Sequence, residues 1–357
     1  MQRIYLLTLI VIFHVYYCFN YLHSQLIATP IQVSDITTTG FKLSWENVSI
    51  ANSFIRHGHT PNLELGILNA GPTTNPVIEI TNAQPSQLYY VQAVAQFGGN
   101  LDQTDTLVFI TQSNSSGKIN TYFNQSVDHS VALPGNEAVH TPNSIDDTLV
   151  KYILMAQESI DVAVYNTTSS SAVADIAGAL NTAHANGVQV RVIYNENTGN
   201  TAIPNLSPGI PRLESPPANF NNNIGIMHHK FFVFDANSNN PNLPRVWTGS
   251  TNLTTQQVNT DANHAVLIQD QSLAIAYWLE FNEMWGTDGP QPNPQNAKFG
   301  IQKKDNTPHV FNVNGKRVEC YFSPSDNTNQ RIVQAIHEAN TELLVNTMLI
   351  TQNSLAD

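Results

Sequence analysis

Residues 224–235 read IGIMHHKFFVFD, an apolar run interrupted by two imidazoles and one ammonium. Successive side chains of a β-strand point to opposite faces. A strand over this run therefore places His228 and Lys230 on one face, and His229 and Asp235 have the opposite parity. Imidazole can attack phosphorus, and a fixed cation beside it stabilises the charge on the phosphoryl oxygens. The run predicts a phosphoryl-transfer site centred on His228.

A second polar segment follows at residues 246–252, which read VWTGSTN. Gly249 allows a close backbone approach, while Ser250 and Asn252 share a face and offer hydrogen bonds to phosphate oxygens. Taken alone, a His-His-Lys run is more often a surface feature and Gly-Ser-Thr-Asn an ordinary turn. Their joint spacing favours a site over these alternatives.

The order His-x-Lys-x4-Asp, followed by Gly-Ser-x-Asn, resembles the signature of the phospholipase D superfamily. The resemblance covers residues 119–357 and implies phosphodiester hydrolysis through a phosphohistidine intermediate, without metal or cofactor. The positions that it implies to be catalytic are His228, Lys230 and Asp235, with Asp235 in a supporting role away from phosphorus. Those that it implies to bind substrate are Gly249, Ser250 and Asn252.

In that superfamily two copies of the motif face each other, so that one histidine attacks and the other serves as acid and base. This sequence holds one copy. Some members also carry an acidic residue 13 positions after the motif serine, where this chain has Asn263. A carboxylate that orients His228 is therefore not predicted at that position.

Helices and strands are predicted to alternate around the motif. The periodicities indicate helices over residues 145–158 and 171–186, strands over 160–165 and 188–194, and a closing amphipathic helix over 273–285. Such alternation predicts an α/β domain, assigned to residues 119–288.

The end of the chain repeats its middle at an offset of 183 residues, with Leu149 matched by Ile332 and Ile153 by Ile336. A Tyr-Phe pair precedes each copy, at 122–123 and 321–322. Duplication is favoured over a chance helix-strand match. Residues 289–357 are thus expected to begin a second, truncated α/β lobe, and the chain to be a fragment of a two-lobed protein.

Residues 31–111 show short alternating runs between turn residues, which predict an all-β sandwich. Phe41, Leu43 and Trp45 fall on one face of a strand. Residues 26–113 resemble a fibronectin type III domain, although another small sandwich is the alternative. Either is expected to contact a cell surface or matrix, or to act as a spacer. Residues 114–118 are predicted to be a linker.

Residues 1–25 begin with Arg3 in a polar start, followed by an apolar run over 4–19, and predict a signal peptide. An uncleaved anchor is the alternative. The expected location is secreted or in the cell envelope. Cys18 lies in this segment and Cys320 is the other cysteine, so the mature chain is expected to lack an internal disulfide.

The formal charge of −12 excludes a global basic field for capturing nucleic acid. The negative net charge and the predicted signal peptide favour a secreted, multidomain hydrolase of phospholipase D specificity. We expect it to act on phosphodiesters, preferably on phospholipid. A nuclease or a phosphatidyl transferase of the same superfamily is the alternative. An alternative of another class is a non-catalytic surface-binding protein. A homodimer is expected if the second lobe is absent.

Overall fold

The structure, a computed structural model, describes residues 25–196, 199–221, 224–345, 347 and 349–350. Two compact units divide the chain, Met1–Thr111 and Gln112–Asp357. The signal peptide predicted for residues 1–25 lies, except for Gln25, outside the described residues. Among the helices that are described, none has the length and apolar character needed to cross a membrane.

The first unit is built from strands. In chain order they are β1 Gln32–Thr37, β2 Gly40–Ser44, β3 Ala51–Gly58, β4 Gly66–Thr73, β5 Val77–Ile80, β6 Leu88–Phe97, β7 Asn100–Gln103 and β8 Leu107–Ile110. One antiparallel sheet has the order β1-β2-β5. The other has the order β4-β3-β6-β7, and β8 pairs with β6.

The two sheets of this unit pack face to face through apolar side chains of β2. Phe41, Leu43 and Trp45 are each at most 3% exposed, as their shared face predicts. The ring of Phe41 lies 5.6 Å from Tyr89 of β6 and 5.8 Å from Phe109 of β8, centroid to centroid. The all-β sandwich is confirmed, whereas its assignment to the fibronectin type III family remains a prediction.

The second unit mixes strands and helices. Its strands are β9 Ile119–Phe123, β10 Val139–His140, β11 Ser159–Val164, β12 Gln189–Tyr194, β13 Arg212–Glu214, β14 Lys230–Phe234, β15 Arg245–Gly249, β16 His264–Ile268, β17 Val310–Val313 and β18 Lys316–Glu319. Its helices are α1 Ile145–Met155, α2 Ile176–Ala185, α3 Thr255–Asn259, α4 Gln271–Trp285 and α5 Thr328–Glu338.

Eight of these strands form one mixed sheet in the order β10-β9-β16-β15-β14-β11-β12-β13. Phe232 of β14 is buried in the core cluster that α1 and α2 help to build. Its neighbour Phe231 points the other way and meets Tyr277 of α4, with ring centroids 5.1 Å apart. Helices therefore cover both faces of the sheet, and the predicted α/β architecture is confirmed.

The strand predicted for residues 224–235 is shorter than expected, because β14 begins only at Lys230. Before it, Gly225 has a φ of +80° and donates its N–H to the Ala218 carbonyl at 3.1 Å. That turn precedes the strand, so His228 and His229 lie just before β14. Their side chains still alternate as predicted: His228 and Lys230 meet Tyr165, whereas His229 meets Phe231.

The segment predicted as a linker, residues 114–118, is held within the second unit. Ser115 Oγ donates to the Pro241 carbonyl at 2.6 Å, and Ser116 Oγ donates to Gln269 Oε1 at 2.5 Å. These bonds tie the segment to the second compact unit, which begins at Gln112.

The region predicted to begin a second lobe contains the β17–β18 hairpin and α5. Helix α5 begins and ends 183 positions after α1, as the repeat predicts. Tyr321 and Phe322, however, lie outside any strand, and residues 342–345 form none. A strand requires a neighbour for its backbone hydrogen bonds, and these segments have no such neighbour among the described residues. The duplication remains a prediction.

Candidate active site

His228 and Lys230 lie at the start of β14, between β11 and β15 in the middle of the sheet. The Lys230 ammonium donates to the carbonyl oxygen of His228 at 3.1 Å. Tyr165 follows β11 and contacts both groups: its ring meets the imidazole of His228 edge to face at 4.5 Å, and Lys230 Nζ lies 5.2 Å from its centroid. One aromatic ring thus packs against the nucleophile and the cation that the sequence predicts.

Burial changes the ionisation of both residues. It lowers the pKa of His228 below the ordinary 6.5, and the positive charges of Lys230 and His229 lower it further. Burial also lowers the pKa of Lys230 to about 8. At neutral pH His228 is therefore uncharged, with a lone pair available for attack, while most of Lys230 remains a cation.

A cavity of about 620 Å³ opens beside these groups, and His228, His229 and Lys230 all line it. Many of its other lining side chains are apolar, and some of them come from distant parts of the chain. They include Ile224, Ile226, Met227, Met284, Phe299 and Phe322. The predicted histidine-lysine pair therefore opens onto a space large enough for a small phosphodiester.

Asp235, which the resemblance groups with the catalytic residues, lies at the opposite end of β14. The strand rises about 3.3 Å per residue, so the five positions from Lys230 to Asp235 span roughly 15 Å, and His228 lies two positions further away. Asp235 is fully buried and accepts backbone N–H groups of Gln157, Glu158 and Ser159, the shortest at 2.7 Å. Its part is structural: it holds the turn between α1 and β11.

Gly249 allows β15 to approach β16 closely. A Cβ at this position would lie 2.3 Å from the carbonyl oxygen of His264, a distance that real side chains do not tolerate. Gly249 pairs with Ala265 in the sheet. The glycine therefore serves strand packing and does not line the cavity.

The side chains of Ser250 and Asn252 form hydrogen bonds with residues that lie close to them in the sequence. Ser250 Oγ donates to Asn263 Oδ1 at 3.0 Å and accepts the N–H of His264 at 3.1 Å. The side-chain amide of Asn252 donates to Gln257 Oε1 at 2.9 Å, while its Oδ1 is buried without a partner among the described residues. Neither residue lines the cavity, and the structure shows no contact of theirs with His228.

Asn263 occupies the position where some superfamily members have a carboxylate. Its side-chain amide donates to the Gln257 carbonyl at 3.1 Å, and its backbone N–H donates to Asn124 Oδ1 at 2.9 Å. Within the described part of the chain, no carboxylate hydrogen-bonds His228.

Two charged residues at the cavity were not predicted from the sequence. Glu280 of α4 is 1% exposed and lies 2.9 Å from His229 Nε2 through its Oε1. The same carboxylate oxygen pairs with the ammonium of Lys303. Glu280 lies at helical spacing from the buried Ala276 and Met284, away from the apolar face predicted for this helix, and its partners lie 51 residues before it and 23 residues after it.

Among the residues that the structure describes, one cluster of metal-ligating side chains lies outside the cavity. Asp305, His309 and Asp326 bring one ligand atom each within 4.8 Å of one another. Both nitrogens of His309 are already hydrogen-bonded, Nε2 to Asp305 Oδ1 and Nδ1 to the Cys320 carbonyl, each at 2.9 Å. The group is explained by these bonds and is not part of the candidate active site.

Comparison with known proteins agrees with the motif. Residues 149–285 match the family model described as "Cardiolipin synthase, PLD-like domain". This part of the chain is similar to phospholipase D-like domains. The matched segment begins within α1, ends with α4 and includes His228, Lys230 and the Gly-Ser-Thr-Asn run.

Curated relatives of the phospholipase D-like domain include "Mitochondrial cardiolipin hydrolase" of Xenopus laevis, 31% identical over 41% of this chain and 63% of the relative. The protein of that name from Canis lupus familiaris is 26% identical over 51% of this chain and 66% of the relative. The chain thus spans slightly less than two thirds of either relative. A solved phospholipase D family member from Salmonella typhimurium is 24% identical over 47% of this chain and 93% of its own, with a TM-score of 0.35.

Proposed function

We propose that this protein hydrolyses phosphodiesters, with phospholipid preferred, through a covalent intermediate on His228. A ring nitrogen of His228 attacks phosphorus, the P–N bond forms, and the bond from phosphorus to the leaving oxygen breaks. Lys230 stabilises the negative charge that develops on the phosphoryl oxygens. Water then attacks phosphorus, and the P–N bond breaks. The placement of an uncharged His228 and the Lys230 cation in one cavity carries this proposal.

The lining of the cavity favours lipid over nucleic acid. It includes the apolar side chains of Ile226, Phe299 and Phe322, and its cations are Lys230 and Lys303. Lys303 is paired with Glu280, so it offers little charge to a polyanion. Nucleic-acid binding relies on neutralising several phosphates, and the chain carries a net charge of −12. A glycerophosphodiester with apolar substituents suits these walls better.

Secretion of the protein and its contact with a cell surface or matrix are further parts of the proposal. Residues 1–25 favour secretion or the cell envelope, although the curated relatives are named mitochondrial. In the proposed arrangement the β-sandwich contacts a cell surface or matrix, and the phospholipase D-like domain performs hydrolysis. If the protein has no second lobe, we propose a homodimer in which the two copies of His228 face each other.

The substrate preference is tested with a panel offered to the full chain: phosphatidylcholine, cardiolipin, DNA and a soluble chromogenic phosphodiester. We expect turnover of the soluble substrate and of phospholipid, and none by a His228→Ala variant purified in parallel. Preference for DNA would overturn the lipid assignment while leaving phosphodiester hydrolysis in place. Turnover that is equal in the His228→Ala variant would overturn the hydrolase assignment itself.

A second candidate is a non-catalytic module that binds anionic groups. The observation that favours it is that Ser250 and Asn252 are bonded within their own loop, while the sequence holds a single motif. Such a module would bind a phosphodiester to the Lys230 cation without chemistry. Binding without turnover, abolished by Lys230→Ala but preserved in His228→Ala, would identify it.

A further inference from the structure

Exposed apolar side chains gather at one end of the β-sandwich. Within the described part of the first unit, seven Val, Ile, Leu or Phe side chains are at least 45% exposed. Five of them lie in three segments where one strand passes into the next, 47–50, 73–77 and 97–101. These five are Val48, Ile50, Val77, Phe97 and Leu101. The three segments together are called the apolar end.

We propose that the apolar end inserts into the surface of a lipid bilayer whose headgroups are zwitterionic or neutral. The inference specifies the surface contact within the proposed function, and it can be tested without hydrolysis. Exposed apolar patches of this kind commonly mark sites of protein or membrane interaction.

Strand pairing brings the segments to the same end of the sandwich. Ala51 at the start of β3 pairs with Thr73 at the end of β4. The next residue of β3, Asn52, pairs with Gln96 of β6. The turn over 97–101 therefore lies level with the start of β3, beside the other two segments.

One further bond and one further pair separate the two ends. The backbone N–H of Asn47 donates to the Thr74 carbonyl at 2.8 Å, which joins the first segment to the second. Ile67, another exposed apolar residue, pairs instead with Arg56. Arg56 stands five positions along β3 from Ala51, which corresponds to roughly 16 Å. Ile67 thus lies away from the apolar end.

The composition of the apolar end suits a lipid surface. The segments 47–50, 73–77 and 97–101 contain no Asp, Glu, Lys or Arg. Insertion therefore dehydrates no charged side chain within them, which is the costly step at membrane depth. They also offer no cation to anionic headgroups, so we infer a zwitterionic or neutral surface. Glu46 precedes the first segment and is exposed, so insertion is expected to stop short of it.

The N-terminal residues join the sandwich at the apolar end. Val48 donates its N–H to the Leu26 carbonyl at 2.9 Å. The Asp102 carboxylate accepts the N–H groups of Leu26 and Ile27 at 2.7 Å and 2.9 Å. The apolar run over 4–19 precedes Leu26 with six positions between them. If that run is retained as a membrane anchor, it brings a bilayer to this end of the sandwich, which favours lipid over another partner.

The test places a tryptophan at the apolar end of the full chain. Phe97→Trp keeps an aromatic ring at a side chain that is 58% exposed. The variant is mixed with phosphatidylcholine vesicles whose acyl chains are brominated, and the emission of the four native tryptophans, measured on wild type, is subtracted. We expect the added emission to shift to shorter wavelength and to be quenched by the bromine atoms.

Ile67→Trp is the matched control. Ile67 is 53% exposed and lies in the same sheet as Phe97, but away from the apolar end. Its added emission should not change with vesicles. Ile50→Asp, introduced beside Phe97→Trp, should abolish the quenching at position 97, because a charge opposes insertion. Raising the salt from about 0.1 M to about 1 M should preserve the quenching, since screening acts on charges.

Several outcomes would overturn the inference. They are the absence of quenching at position 97, equal quenching at positions 97 and 67, and quenching that high salt abolishes. Emission at position 97 that is already at short wavelength without vesicles would assign the apolar end to residues 1–24, or to a second copy of the chain if dilution reverses it. Quenching in a protein that turns over no phosphodiester would instead remove the proposed hydrolysis and leave this inference standing.

Discussion

The ring of Tyr165 stands edge-on to the imidazole of His228 at 4.5 Å, and Lys230 Nζ lies 5.2 Å from the centroid of the same ring. Aromatic and cation–π contacts are each worth about 0.5–1.5 kcal/mol. Tyr165→Ala should therefore lower kcat/KM on a soluble phosphodiester by about tenfold or more, since about 1.4 kcal/mol corresponds to a factor of ten. Tyr165→Phe keeps the ring and should stay within about threefold of wild type. Equal losses in the two variants would assign the effect to the phenol hydroxyl instead.

The pH dependence follows from the two lowered pKa values. His228 attacks only when uncharged, and its pKa lies below 6.5, so kcat/KM should fall on acidification below that value. Lys230 acts only when protonated, and its pKa is about 8, so kcat/KM should also fall as pH rises through 8. Lys230→Arg, whose guanidinium stays charged at high pH, should move the alkaline limb upward. A rate that keeps rising beyond pH 9 in wild type would contradict this assignment.

Asp235 is expected to affect stability and not chemistry. Hydrogen bonds to a charged group are worth about 1.5–3 kcal/mol, and Asp235→Asn removes the charge from three of them. Asn also accepts the left-handed backbone that Asp235 adopts, at a φ of +52°. Urea unfolding should show a loss of about 2–3 kcal/mol, while the rate per folded molecule remains unchanged. Full stability with lost turnover would return Asp235 to the catalytic residues.

Metal chelation should leave the reaction intact. His228 supplies the nucleophile and Lys230 the positive charge that a divalent ion would otherwise provide. Activity on a soluble phosphodiester after dialysis against EDTA should equal that of untreated protein. A soluble substrate is needed because an ion can act on a lipid surface rather than on the enzyme. Loss in chelator that one divalent ion restores would count against the mechanism.

The features that could be predicted from the sequence are those that depend on residues close together in the chain. Alternation found the buried face of Phe41, Leu43 and Trp45, and motif spacing found His228 with Lys230. The parity argument separated His229 from His228 and Lys230, and the contacts agree with it: His228 and Lys230 meet Tyr165, whereas His229 meets Phe231. The predicted length of the strand was wrong, because β14 begins only at Lys230.

Features that depend on tertiary contacts lay beyond the sequence patterns. The closing helix over 273–285 was predicted, yet nothing local shows that its Glu280 meets His229 and Lys303. Residues such as Phe299 and Phe322 line the cavity although they stand about 70 to 95 positions after His228. The linker at 114–118 reads as polar and turn-rich, but its serines find acceptors at Pro241 and Gln269.

The central claim is a covalent bond between phosphorus and His228. The most direct test mixes the full chain with a phosphodiester, quenches in base within the first turnover because phosphohistidine is acid-labile, and maps the adduct by peptide mass spectrometry. We predict an adduct on His228 that disappears on acid treatment and is absent from His228→Ala. Steady turnover with no adduct on any histidine, or an adduct on His229 instead of His228, would contradict the account.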